Sequence, residues 1–179
     1  MSLPKPSPLG RKLLRAAMKA MRANPSSVRM GFWLTGDPAG QSQMYECGTV
    51  GCIAGHVVLQ AGKKTASVHS PNFFPKKLQE TLNLKVYGGT SIGTSAARLI
   101  SGNPKANYRD FRNLFFSHMW PSPFVFQFID MSARKQQTDV VIRRMWPSPF
   151  ELQFMDMSAR KQQTDVVIRR IQHYLETGE

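Results

Sequence analysis

Apolar residues recur along the chain at helical spacing, in blocks separated by proline and glycine. From Arg11 to Ala23, Leu13, Leu14, Ala17, Met18 and Met21 lie opposite Arg11, Arg15, Lys19 and Arg22 at about 100° per residue, which predicts an amphipathic helix. Asn24-Pro25 ends it, because a residue before proline disfavours the α region. Phe32 and Trp33 then read as core anchors. Thr49 is placed to cap a second helix through Ala61, with Gly62 as its stop and Gly51, Ala54 and Gly55 allowing close backbone packing. The stretch from Thr65 to Thr94 is weakly patterned. It predicts at most a helical turn over Lys76 to Leu82 and a minor β-hairpin or short strand near 84–87. Further short helices are expected over Ser95 to Ser101 and Tyr108 to Phe116, the latter with Phe111, Leu114 and Phe115 inward.

The last third contains a tandem repeat. Residues 119–144 and 145–170 are the same 26 residues with three differences, at 125/151, 126/152 and 129/155. Each unit reads as a Trp-Pro-Ser-Pro-Phe turn followed by a helix from about Ser132 or Ser158. Only the second helix runs on through Ile171, Tyr174 and Leu175 to Gly178, because the first meets Trp146-Pro147. Two units are too few to stack a solenoid core. The pattern therefore predicts an all-α fold: an extended, flexible arm over 1–10, which holds three prolines, and one helical domain over 11–179. A core built for one copy has one seat for the helix. The other copy must cover Phe128, Val140 and Val141, or Phe154, Val166 and Val167, by another route. A homodimer joined through the duplicated helices is one expectation, and a longer helical hairpin within the monomer is the other.

Composition adds a partner class. Lys and Arg number 24 against 11 Asp and Glu, a formal charge of +13, and no acid precedes Asp37. This balance favours polyanionic partners. Arg11, Lys12, Arg15, Lys19 and Arg22 fall within roughly 100° of helix surface and form the candidate nucleic-acid-binding stripe, where an acidic protein would also fit. Arg134-Lys135, Arg143-Arg144, Arg160-Lys161 and Arg169-Arg170 would extend it. No sequence-reading motif of a known nucleic-acid-binding fold accompanies the stripe. No stretch approaches the roughly 20 apolar residues of a membrane helix, and two cysteines make no disulfide framework, so a cytoplasmic protein without a membrane partner is expected.

The chemical candidates cluster in Cys47-Gly48-Thr49-Val50-Gly51-Cys52-Ile53-Ala54-Gly55-His56. Cys47 before a helix start and His56 one turn after Cys52 suit a nucleophilic pair, although Glu46 is the only nearby acid. Cys47, Cys52 and His56 are also acceptable zinc ligands, with His69, His118 or His173 as a fourth, but the spacing is not a finger pattern. Packed structural cysteines are the simpler reading, so no catalytic residue, metal or cofactor is assigned. Gly88 to Ser95 has the look of a phosphate loop but lacks its lysine, and a glycine-rich turn capping the next helix explains it better. Trp120 and Trp146 are expected as core anchors.

The string CGTVGCIAGHV, with LLRAAMKAMRANPSSVRMGFWL before it and AARLISGN, NLFFSHMWPSPF and DVVIRRIQHYLETG after it, resembles a family of small bacterial and phage proteins. That family is built on a Cys-Gly-Thr-x-x-Cys-x-Ala-Gly-Trp/His core. The resemblance implies an accessory protein of a phage or mobile genetic element, carried on a gene cassette, and brings no activity with it. Trp in place of His56 in relatives implies that His56 is not a required ligand or base. The duplication and the Thr65 to Thr94 stretch depart from the pattern.

Overall fold

The apolar blocks become helices packed around one central helix in a computed structural model, which describes residues 3–28, 34–35, 50–63, 66, 70–85, 89–116, 120, 124 and 149–178. Six α-helices occur among the described residues: α1 (Pro8–Ala23), α2 (Ile53–Ala61), α3 (Lys76–Leu82), α4 (Gly89–Ser101), α5 (Arg112–Phe115) and α6 (Pro149–Thr177). Pro25–Ser27 and Tyr108–Phe111 form 3-10 turns. The fold is all-α. Its sole β-structure among the described residues is the antiparallel two-residue pair β1 (Leu34–Thr35) and β2 (Val50–Gly51). The strand expected near 84–87 is not found at Leu84 or Lys85, and residues 86 and 87 lie outside the described residues.

α1 begins three residues earlier than its apolar pattern. Ser7 is its N-cap, accepting from the Gly10 N–H at 3.0 Å, and Pro8 occupies the first turn, where a missing N–H costs nothing. The arm expected over 1–10 is accordingly docked from Leu3 onward: Leu3 is buried and its N–H donates to the Gly178 carbonyl at 3.2 Å. The prolines order this segment, because their fixed φ suits both the extended approach and the helix start. Ser7 also donates from its N–H (2.8 Å) and its hydroxyl (3.0 Å) to the Ile100 carbonyl near the end of α4. There the two backbones nearly touch, and a Cβ built on Gly10 would sit 2.0 Å from that carbonyl oxygen.

α2 is buried from Ile53 to Leu59 on every side, as a helix without a polar face must be. It starts four residues after Thr49, because Val50 and Gly51 pair with the chain at Leu34–Thr35 and leave Cys52 as the cap position. Gly62 does close it, at an ordinary negative φ; what excludes a side chain there is the Phe73 ring, whose nearest carbon lies 2.0 Å from a built Cβ. α3 spans the expected turn and closes on Asn83 in the left-handed region, with Leu84 buried behind it. α4 begins at Gly89 rather than Ser95. Ser95 is a buried staple, not a cap: its hydroxyl accepts from the Lys85 N–H at 3.0 Å and donates to the Lys85 carbonyl. Phe111, Leu114 and Phe115 face inward as expected, and Trp120 is buried with its indole N–H on the Leu114 carbonyl at 3.1 Å.

α6 starts at Pro149, earlier than Ser158, and its described side chains show which repeat copy occupies the core. Thr164, Val166, Val167, Ile168, Arg170, Ile171 and Tyr174 are buried against α1, the Pro25–Ser27 turn and α5. Phe124 of the first copy packs beside them, 5.4 Å from His173, and the Arg170 guanidinium sits 5.9 Å over its ring. The core thus combines Trp120 and Phe124 from one copy with the helix of the other. Val166 and Val167, offered above as one alternative for a partner interface, are covered by this chain itself. Phe128, Val140 and Val141, and the side chain of Phe154, lie outside the described residues.

The α1–α4 contact gives a direct test. Gly10→Ala must push a methyl into the Ile100 peptide, and the overpacking should cost about 3 kcal/mol, a fall in Tm of about 6–12 °C by calorimetry. Ala16→Gly, at a half-buried position on the same helix, should cost only about 1 kcal/mol.

Candidate anion-binding surface

Four of the five basic side chains of the α1 stripe are exposed. Lys12, Arg15, Lys19 and Arg22 are exposed, whereas Leu13, Leu14, Ala17, Met18 and Met21 are buried beneath them. The helix carries no acid. Over the ten residue steps from Lys12 to Arg22 it rises about 15 Å, a length over which one DNA strand carries about four phosphates. Arg11 does a different job. It is half-buried and donates from a guanidinium N–H to the Leu175 carbonyl at 3.0 Å, in the last turn of α6. A cation at a helix C-terminus satisfies an unpaired carbonyl and the helix dipole together.

The supplementary basic pairs divide as well. Lys161 and Arg169 are exposed, but Arg170 is fully buried and donates to the Asn113 carbonyl at 2.9 Å, so it adds nothing to a positive surface. Arg134, Lys135, Arg143, Arg144 and the Arg160 side chain lie outside the described residues. The sequence reading missed an open cleft of about 590 Å³ at the end of α3, lined by Lys63, Lys76 and Lys85 with Asn72 and Asn83 above Phe74 and Leu84. Its lysines come from three separate segments, so no spacing signals it. Gly89 to Ser95 lies within α4 and is no loop for phosphate, and Gly88 falls outside the described residues.

The described part of the cysteine motif, from Val50 on, is placed for packing. Cys52 is buried under α2, and burial pushes its thiol up to about 11 despite opposing hydrogen bonds from the Gly55 and Ala54 backbone. An activated thiolate requires the opposite shift. His56 is wholly buried, and its Nε2–H donates to the Ser27 carbonyl at 3.1 Å, which ties the central helix to the 3-10 turn. Desolvation holds its pKa down at about 4, partly offset by that carbonyl. Among the described residues no three His, Cys, Asp or Glu side chains gather to hold a metal ion; Cys47, His69 and His118 lie outside them. No helix among the described residues is long and apolar enough to cross a membrane.

The buried neutral imidazole makes folding sensitive to acid. The unfolded chain takes up a proton near pH 6.5 and the native His56 none until about pH 4, so stability is full above the first value and falls as pH drops below it. Denaturant titration should give a stability about 2 kcal/mol lower at about pH 5 than at about pH 7.5. His56→Gln, which keeps an N–H donor, should lower stability at neutral pH but flatten that slope; an unchanged slope would assign it to another group. No family model, no curated protein and no solved structure matches this chain.

Proposed function

We propose that the protein binds nucleic acid, without reading its sequence, through the exposed face of α1. The observation that carries this is one helix whose apolar side is fixed in the core and whose free side presents Lys12, Arg15, Lys19 and Arg22 with no acid among them. Cations held on a rigid helix at about the spacing of phosphates gain affinity by counterion release. An accessory role on a phage or mobile genetic element follows from the resemblance of the cysteine-motif segment. A cytoplasmic setting suits such a role.

The test is fluorescence anisotropy of a labelled random duplex and a labelled single strand, titrated with protein from about 50 to about 200 mM salt. Log affinity should fall linearly with log salt at about −0.9 per neutralised phosphate on duplex. Reversing Arg15 and Lys19 to Glu should reduce the magnitude of that slope by about 2. Absence of binding at about 50 mM salt, or an unchanged slope in the variant, would sink the reading. Retained affinity for an acidic protein surface would then mark the alternative anionic partner.

A second reading, self-association through the repeat, is favoured by one observation. The helix of the second copy buries Val166, Val167 and Ile168 in the core, and the first copy's Phe128, Val140 and Val141 are a second apolar set of the same pattern. Such a set is covered at low cost by a second chain. Light scattering should return twice the chain mass, and Val140→Asp with Val141→Asp should return it to one.

A further inference from the structure

We propose that residues 133–144 are a second occupant of the seat that residues 159–170 fill, so that a single chain folds in two exchanging registers. The seat is formed by α1, the Pro25–Ser27 turn and α5, and it reads a short list of side chains. The Thr164 hydroxyl donates to the Pro25 carbonyl at 3.3 Å, Val166, Val167 and Ile168 are buried, and Arg170 donates to the Asn113 carbonyl at 2.9 Å. The first copy offers Thr138, Val140, Val141, Ile142 and Arg144 in the same order and spacing. None of these described contacts distinguishes the two copies.

What distinguishes them is the flank. After Arg170 the chain continues with Ile171, His173, Tyr174 and Leu175, whereas after Arg144 the equivalent positions hold Met145, Pro147, Ser148 and Pro149. Tyr174 is buried, donates from its hydroxyl to the Pro4 carbonyl and stands edge-on to Phe111 at 6.4 Å. The Leu175 carbonyl receives Arg11, and the Gly178 carbonyl receives the Leu3 N–H. The first copy has serine at the Tyr174 position, and Pro147 and Pro149 interrupt the helix that carries the Leu175 and Gly178 carbonyls, so the second holds the seat in the ground state.

The first copy can nonetheless reach the seat. Phe124 already lies beside Arg170 and His173, and the Thr164 position is six residues of helix from Arg170, about 9 Å. With 133–144 seated as helix, the link is the eight residues 125–132, which can span about 26 Å, more than the about 17 Å of helix between the Ala159 position and Arg170. In the alternative register the chain beyond Arg144 detaches, the Leu3, Pro4 and Arg11 ties to the tail open, and Arg11 becomes available beside the four exposed cations of α1. The exchange itself does not depend on what that surface binds.

The experiment is a mutant cycle on the full chain with Val167→Asp, Val141→Asp and the two together, read by thermal melting and by hydrogen exchange. Peptides 139–148 and 165–174 are distinguishable because their flanks differ. Val141→Asp should leave the melt of the parent unchanged. Val167→Asp should keep one cooperative transition at a lower Tm, with amide protection lost from 165–174 and gained over 139–148, and the double variant should lose the transition. If Val167→Asp alone abolishes the transition, or keeps it with protection remaining at 165–174, the first copy does not take the seat and the proposal fails. A Val167→Asp transition that vanishes on dilution would show that a second chain supplies the helix, which overturns exchange within one chain.

Discussion

α1 can hold four cations toward solvent because its opposite face is fixed in position by the contact of its first turn with the end of α4. The Ile100 carbonyl accepts both the Ser7 N–H and the Ser7 hydroxyl, the same hydroxyl accepts the Gly10 N–H, and Gly10 brings the helix backbone against the Ile100 peptide. A carbonyl near one helix C-terminus and a free N–H at another helix N-terminus are thereby satisfied by one serine, which buried helix ends require. Any side chain at position 10 would lift α1 from α4. The register of Leu14, Ala17 and Met21 over α2 would change with it, and so would the direction of the basic stripe.

The 3-10 turn Pro25–Ser27 is the second organising element. The turn's own bonds run from the Ser27 N–H to the Asn24 carbonyl and from the Val28 N–H to the Pro25 carbonyl, and a carbonyl has two lone pairs, so three carbonyls here each receive a side-chain donor as well. His56 from α2 donates to Ser27, Thr164 from α6 donates to Pro25, and Ser27 itself closes onto Asn24. A ring N–H is what the Ser27 carbonyl needs at position 56. The requirement is structural, consistent with a thiol at Cys52 whose burial opposes ionisation.

Periodicity made α1, α5 and the inward set Phe111, Leu114 and Phe115 legible, because each lies half in the core and half in water. It overextended α2 backward to Thr49, since a helix buried all round shows no polar face from which to judge its limits. It missed the first half of α4 because Gly89 to Thr94 is poor in helix formers, and tertiary contacts override that weakness. The docked arm was illegible for another reason: its partners, Ile100, Tyr174 and Gly178, are far away in sequence. The candidate surface was legible as a stripe of charge, but the different fate of Arg11 depended on where the last turn of α6 would arrive.

That difference is general in this molecule. Arg11 donates to Leu175 in the last turn of α6, Arg98 to Ala106 and to Asn83 at the end of α3, and Arg170 to Asn113 within α5. Leu175, Asn83 and Asn113 lie in or just past the last turn of a helix, where partial negative charge accumulates and intrahelical donors run out, and Ala106 lies in the loop before the Tyr108–Phe111 turn. Acids can satisfy none of these groups, because a carboxylate does not donate. Part of the net charge of +13 is therefore architectural, the donor supply of a helical fold with many short helices and loops. Charge used in this way is fixed to the backbone and cannot also meet a phosphate. Lys12, Arg15, Lys19 and Arg22 differ in being exposed on a helix without acids, and the proposal of α1 as a binding face rests on that distinction more than on the excess of basic residues.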